Sequence, residues 1–289
     1  MTLSEVFDAV RPSIVALGSK YSVVVGGRPP AFPTILGTGF FIDHRGIVLT
    51  NRHVAEALQQ LPANPKTGES AAVGFVFSVV QAEEGAHTLS VHAVDVLSYN
   101  HLDHFETPGP FYGEALPDMA FLQLNVKDVP SLSFLAEPNT LKIGMPVATA
   151  GFPLGTDALL VYGKLVQLTP LLRAGIISSL YPFPCPHPHG FTVDIMVQGG
   201  ASGSPIFLTT ESKVIGLLFG GYGYSFQVGG QQIKIDTNIT MALPSSMLHW
   251  AVDNTRKQVD GLDFSKVPSL EQLSKEKAKA EPSWKIIRP

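Results

Sequence analysis

Gln198-Gly199-Gly200-Ala201-Ser202-Gly203-Ser204-Pro205-Ile206-Phe207 crowds small residues on both sides of one serine, and the reading of the chain works outward from it. Such a composition permits a tight turn whose backbone N–H groups converge on one point. Ser202 is therefore a candidate nucleophile, with the N–H groups of Gly200 and Ser202 as candidate donors to an oxyanion. Amide hydrolysis by serine also needs a base for the hydroxyl proton and a carboxylate to orient that base. Two earlier stretches hold those residue types. In Ile47–Val54 the apolar run Ile47-Val48-Leu49 ends in a polar turn that leads directly to His53. In Pro117–Leu122, Asp118 immediately precedes an apolar strand, a position that can bury a carboxylate beside an imidazole.

The rest of the chain reads as β-rich. Apolar runs bounded by turn residues predict strands at Ile14–Leu17, Val23–Val25, Gly39–Ile42, Ile47–Leu49, Ala72–Val80, His87–Val96 and Met119–Leu124. Further runs follow at Pro146–Ala150, Leu159–Leu168, Gly175–Ile177, Phe191–Val197, Pro205–Leu208, Val214–Phe219 and Ile233–Ile239. Many short strands at this spacing predict an all-β sandwich or barrels. A short helix is expected at Glu5–Val10; helical periodicity otherwise appears only near the end, at Ser246–Gln258. A last helix is expected from Ser269, where Ser269 and Gln272 have capping-box spacing. The Lys/Glu-rich tail beyond Leu273 reads as a solvated face, with partner docking as the alternative.

Composition narrows the functional class. The 289 residues are 45% hydrophobic and 15% charged, with 27 glycines and 23 prolines, as a globular chain rich in turns requires. A net charge of −4 gives no argument for nucleic acid. No apolar run reaches the ~20 residues that span a membrane as a helix. One cysteine, Cys185, allows no internal disulfide framework, and the start of the sequence has no signal-peptide pattern. The expectation is a cytoplasmic protein without a cofactor. Cys185, His187 and His189, and separately His101 and His104, have metal-ligand residue types but read as polar loops, so no metal is expected.

Taken together, these motifs resemble the trypsin-like peptidases, in particular their HtrA-type branch. The resemblance rests on GTGFFIDHRGIVLTNRHV (37–54), PDMAFLQL (117–124), KIGMPVATAGFPLG (142–155), GIISSL (175–180), VDIMVQGGASGSPIF (193–207) and VIGLLFGG (214–221), in that order. It implies an all-β chymotrypsin-like fold of two six-stranded antiparallel β-barrels with a C-terminal helix. The peptidase domain would cover 1–250, with the first barrel at about 10–125 and the second at about 135–245, before a charged tail at 251–289. It also implies a serine endopeptidase with His53 as general base, Asp118 as its orienting carboxylate and Ser202 as nucleophile. Residues Leu217, Leu218, Phe219 and Gly220 would pair with substrate backbone, and Met196 with Val197 would line the base of a pocket for small or medium aliphatic side chains. The partner would be a protein or peptide substrate, with self-association or docking through the tail left open.

Three departures from the family pattern stand out. Ser204 occupies the position of the family's usual glycine, and the 65 positions from His53 to Asp118 imply an insertion within 58–116. No counterpart of the PDZ domain common in HtrA proteins is expected. Val24-Val25-Gly26-Gly27 is read as a hairpin turn and not as a processed amino terminus, because no Lys or Arg directly precedes it. An α/β-hydrolase esterase is disfavoured, since His53 precedes the serine and Gly-x-Ser-x-Gly fails at Ser204. A non-catalytic peptide-binding or chaperone-like module on the same fold remains the alternative.

Overall fold

The computed structural model describes residues 1–20, 34–63, 67–81, 87–102, 116–135, 141–155, 160–161, 164–165, 169–185, 187–229 and 231–277. The Val23–Val25 run and much of Leu159–Leu168 lie outside these residues.

The first barrel is built from β1 (Ile14–Ser19), β2 (Ile35–Asp43), β3 (Ile47–Thr50), β4 (Ala72–Gln81), β5 (His87–His101) and β6 (Ala120–Leu124). They close in the order β1-β2-β3-β6-β5-β4, with β1 pairing antiparallel to both β2 and β4. A two-residue strand, β7 (Ser133–Phe134), leads toward the second barrel, which it joins by parallel pairing. That barrel contains β8 (Pro146–Gly151), β11 (Leu171–Tyr181), β12 (Gly190–Asp194), β13 (Pro205–Leu208), β14 (Lys213–Val228) and β15 (Gln231–Pro244). A small ladder, β9 (Leu160–Val161) with β10 (Lys164–Leu165), sits between β8 and β11 in the chain. The order β13-β8-β11-β12-β15-β14 is closed by β13–β14 pairing, which gives the second six-stranded antiparallel barrel expected from the sequence.

Closure removes the exposed edges that open sheets carry, and it leaves each barrel with an apolar interior. One continuous buried cluster joins the barrels: Phe40 lies 6.3 Å from Phe134, and Phe77 stacks on Phe152 at 5.3 Å. Four α-helices decorate the barrels among the described residues: α1 (Leu3–Val10), α2 (Arg52–Gln59), α3 (Ser245–Val259) and α4 (Leu270–Lys277). In α1, Thr2 and Glu5 form a reciprocal capping box, and Val6 and Val10 enter the core. Ser269 and Gln272 form the expected capping box of α4, at 2.7 and 3.1 Å.

Helix α3 follows the second barrel in sequence but fastens to the first. Met247, Leu248, Ala251 and Val252 are buried in the shared cluster. Arg256 donates to the carbonyl of Ile42, and Arg45 bridges Asp43 (2.8 Å) and Asp260 (2.7 Å). Burial pushes the Asp43 carboxyl up, but the Arg45 hydrogen bonds and charge outweigh it and hold the group below its usual range.

Two expectations need correction. Helical structure is not confined to the end: the residues just after β3 form α2, burying Val54, Ala55 and Leu58 against the first barrel. The runs at Val214–Phe219 and Ile233–Ile239 are parts of far longer strands, which pair from Gly216↔Pro244 out to Val228↔Gln231.

Candidate active site between the barrels

Helix α2 carries His53 in its first turn rather than on a polar loop. Asn51, at the N-cap position and fully buried, does not cap with its side chain. Its Nδ2 instead donates to the carbonyl of Asp118 at 2.7 Å, tying the start of α2 to the start of β6. The Asp118 carboxylate then contacts His53 twice. Oδ1 accepts from the His53 backbone N–H at 3.1 Å, and Oδ2 lies 2.6 Å from ring Nδ1. With Nδ1 donating to the carboxylate, Nε2 is left as the basic nitrogen. The imidazole is half-exposed while the carboxylate is mostly covered, so the ring is held from behind and open in front.

Ser202 lies across the seam, between β12 and β13. Ala201 N–H donates to the Gln198 carbonyl at 3.1 Å, and Gly200 has φ of 93°. That pattern is a type II turn, whose third residue needs a positive φ. Gly203 repeats the requirement at φ 86°, and a Cβ there would fall 2.0 Å from the Thr38 carbonyl oxygen. Thr38 on β2 clasps the turn from the first barrel. Its N–H donates to the Ser202 carbonyl at 2.8 Å, its hydroxyl donates to the Gly200 carbonyl at 2.7 Å, and the same hydroxyl accepts from Phe152 N–H at 3.0 Å. Thr50, just before α2, donates to the Thr38 carbonyl at 2.7 Å. The segments bearing His53 and Ser202 therefore share one buried fastener. A methyl placed on Gly37 would meet Val54 at 2.6 Å and the Ser202 carbonyl oxygen at 3.3 Å, which measures how closely α2 and the serine turn approach.

Ser204 fits where the resembling family has glycine because its hydroxyl donates to the Ala201 carbonyl at 2.6 Å and faces Gly151. A Cβ on Gly151 would lie 2.1 Å from that hydroxyl. Asp194 accepts a hydrogen bond from Asn238, and Met196 is exposed with its carbonyl accepting from Arg173.

A cleft of about 860 Å³ opens between the barrels. His53, Asp118, Arg52 and Glu56 line it from one side, and Tyr181, His189, Phe219 and Tyr222 from the other. Burial, and then the hydroxyl of Tyr222, push the Tyr181 phenol up to about 12. His53, Asp118 and Phe219 thus meet in one cleft. Ser202, Met196 and Val197 sit on the adjoining loop outside its lining, and no hydrogen bond among the described residues joins Ser202 Oγ to the imidazole.

Of the residues expected to pair with substrate, two are already engaged within the fold. Leu217 and Leu218 are buried; Leu217 pairs with Pro205, and Leu218 donates its N–H to the Ser204 carbonyl and accepts from Gly203 N–H, so their backbone is already occupied. Among the described residues, no strand pairs with the outer edge of β14 from Phe219 onward. Sequence reading passed over Asn51, Thr38 and Thr50. The polar side chains of an otherwise apolar strand pair were their only signal. Among the described residues no group of three or more His, Cys, Asp or Glu gathers as a metal site, and His104 lies outside them. No described helix is long and apolar enough to cross a membrane.

Barrel closure, the cleft and the serine turn define a chymotrypsin-like peptidase fold. The trypsin-like peptidase domain family matches residues 37–217, and the chain belongs to that family. Serine protease chemistry is the activity class that this membership supports. Among solved structures, the chain shares its fold with the HtrA-type protease AlgW with decapeptide, at 15% identity and a TM-score of 0.53, covering 89% of this chain and 68% of that one. The same protease with tripeptide matches at 13% identity and a TM-score of 0.49, over 90% of this chain. This chain spans 64% of the length of that AlgW chain. No curated protein sequence matches it.

Proposed function

We propose that the chain is a serine endopeptidase acting through Ser202, His53 and Asp118. The observation that carries the reading is the two-point hold of Asp118 on His53, at 3.1 and 2.6 Å, beside a serine turn clasped by Thr38. Ser202 Oγ attacks the scissile carbonyl carbon as its proton passes to His53 Nε2. The resulting oxyanion accepts hydrogen bonds from Gly200 and Ser202 N–H. Collapse breaks the C–N bond, the imidazolium protonates the departing amine, and an acyl ester remains on Ser202. Water, deprotonated by His53, then releases the acid and regenerates the serine. Catalytic contacts of this kind close up when substrate binds, so an open Ser202–His53 pair before binding is compatible with the role.

The polypeptide substrate pairs with the edge of β14 at Phe219 and Gly220 next to the cut. Met196 and Val197 carry no charge, which supports a preference for small or medium aliphatic side chains before the cut. A peptide-library profile dominated by cleavage after Lys or Arg would refute that preference.

A fluorophosphonate probe tests the core of the proposal. The wild-type chain is expected to be labelled and Ser202→Ala is not. An intact wild-type chain that resists a probe active on a control protease would instead favour the non-catalytic peptide-binding reading.

A further inference from the structure

Beyond the cleft, β14 and β15 run on as a two-stranded ribbon. The register pairs Gly223↔Asp236, Tyr224↔Ile235, Phe226↔Ile233 and Val228↔Gln231. Residues 224, 226 and 228 alternate along the regularly paired part of β14 and share one face, and Tyr222 precedes them at the register shift between Gly221 and Gly223. Each is large and apolar, and each is exposed: Tyr222 47%, Tyr224 69%, Phe226 44% and Val228 54%. Ile235 and Ile239 on β15 are exposed as well. A two-stranded ribbon is marginal in water, and an apolar face on one marks a binding surface.

Three observations select the occupant. First, among the described residues no strand pairs with the outer edge of β14 past Leu217, where pairing with β13 ends, and Leu218 closes onto the serine turn. Second, the stripe is continuous with the cleft, since Tyr222 both begins it and lines the cavity with His53 and Asp118. Third, the exposed apolar area is on the order of 500 Å², taking roughly half of the area such side chains bury. That falls short of the ~800 Å² per partner of a stable dimer but suits one extended segment.

We propose that this ribbon is a remote subsite for the stretch of substrate that precedes the scissile bond. The inference rests on the peptidase reading above. Substrate added antiparallel to β14, with its scissile carbonyl at Ser202, runs with its amino-terminal residues toward Val228. At one substrate residue per strand residue, Tyr222, Tyr224 and Phe226 lie beside positions about four to eight residues before the cut. Same-face neighbours on adjacent strands touch, so apolar or aromatic residues at alternating positions are favoured there. The substrate class is an extended polypeptide with an alternating apolar stretch upstream of its cleavage site.

The test uses the full chain and two quenched fluorescent peptides identical around the cut. One spans three residues on each side; the other adds six upstream residues, apolar at alternate positions. The long peptide is expected to give at least a tenfold higher kcat/KM, mainly through KM. Tyr224→Ser/Phe226→Ser is expected to abolish that advantage while leaving the short peptide unchanged. Equal cleavage of both peptides by wild type would overturn the proposal, as would an advantage that survives in the double variant.

If neither peptide is cleaved, the peptidase reading fails separately, and fluorescence anisotropy of the labelled long peptide on Ser202→Ala decides the subsite. Binding lost in Tyr224→Ser/Phe226→Ser/Ser202→Ala supports it, and no binding overturns it. Sedimentation showing a dimer that the double variant dissociates, with long-peptide preference intact, would assign the face to a second copy instead.

Discussion

The hydroxyl of Thr38, on the first barrel, donates a 2.7 Å hydrogen bond to the carbonyl of Gly200 in the serine turn of the second. The same oxygen accepts from Phe152 N–H at 3.0 Å, so one side chain satisfies two buried backbone groups and fixes the Gly200 peptide. Thr38→Val keeps the shape but leaves both groups unpaired, at about 1–3 kcal/mol each. The expected result is a lower Tm and a kcat reduced tenfold or more with KM little changed, because the serine turn is loosened. Thr38→Ser should restore most of kcat. A drop in Tm with kcat untouched would reduce Thr38 to a structural role.

Asp118→Asn isolates the tautomer argument. Asp118 now accepts from both the backbone N–H and ring Nδ1 of His53, and an amide can accept at one point only. Its NH₂ facing Nδ1 would favour the wrong tautomer, and turnover of a cleaved peptide should fall by about 10⁴. Steady-state kinetics with circular dichroism on the same sample would separate this from misfolding. Activity within tenfold of wild type would remove Asp118 from the machinery.

Gly151 and Ser204 should be energetically coupled. Gly151→Ala drives a methyl to 2.1 Å from the Ser204 hydroxyl and 2.9 Å from that of Thr38. Overpacking of this kind costs about 1–3 kcal/mol. Adding Ser204→Gly relieves the nearer clash, so the double variant should be more stable than Gly151→Ala alone. Chemical denaturation of all four proteins would measure the coupling, and strict additivity would contradict the geometry.

The Asp43–Arg45 contact predicts an acid-sensitive clamp. Burial raises the Asp43 carboxyl, Arg45 lowers it further, and the net shift is downward. A carboxylate with a lower pKa folded than unfolded stabilises the fold above its unfolded value of about 3.9 and loses that contribution as pH falls through the folded value. Asp43→Asn should therefore lower stability near neutrality by about 1–3 kcal/mol and flatten the fall below about pH 4. Denaturant midpoints between pH 2.5 and 7 would check both, and parallel curves would refute the assignment.

Much of the candidate site was legible because its residues sit in distinctive local sequence. Asp118 ahead of an apolar run and Ser202 among small residues are each constrained by their immediate neighbours. Helix α2 was missed although Val54, Ala55 and Leu58 have helical spacing, since eight residues directly after a strand give little period to read. The reach of β14 was missed for a different reason. Gly220, Gly221 and Gly223 read as turn residues, yet in the structure they absorb register shifts along one strand. A polar side chain in an apolar strand marked Thr38 but not its role, because its partners Gly200 and Phe152 are more than 100 positions away.

Arg256 and Asp260 give the molecule its topology of dependence. A helix that grows out of the later barrel is buckled to the β2–β3 hairpin of the earlier one, and its apolar side fills their common base. Excising either half would strip the other of its floor. The whole should melt as one cooperative body, so substitutions at this rear buckle can reach a cleft they never touch.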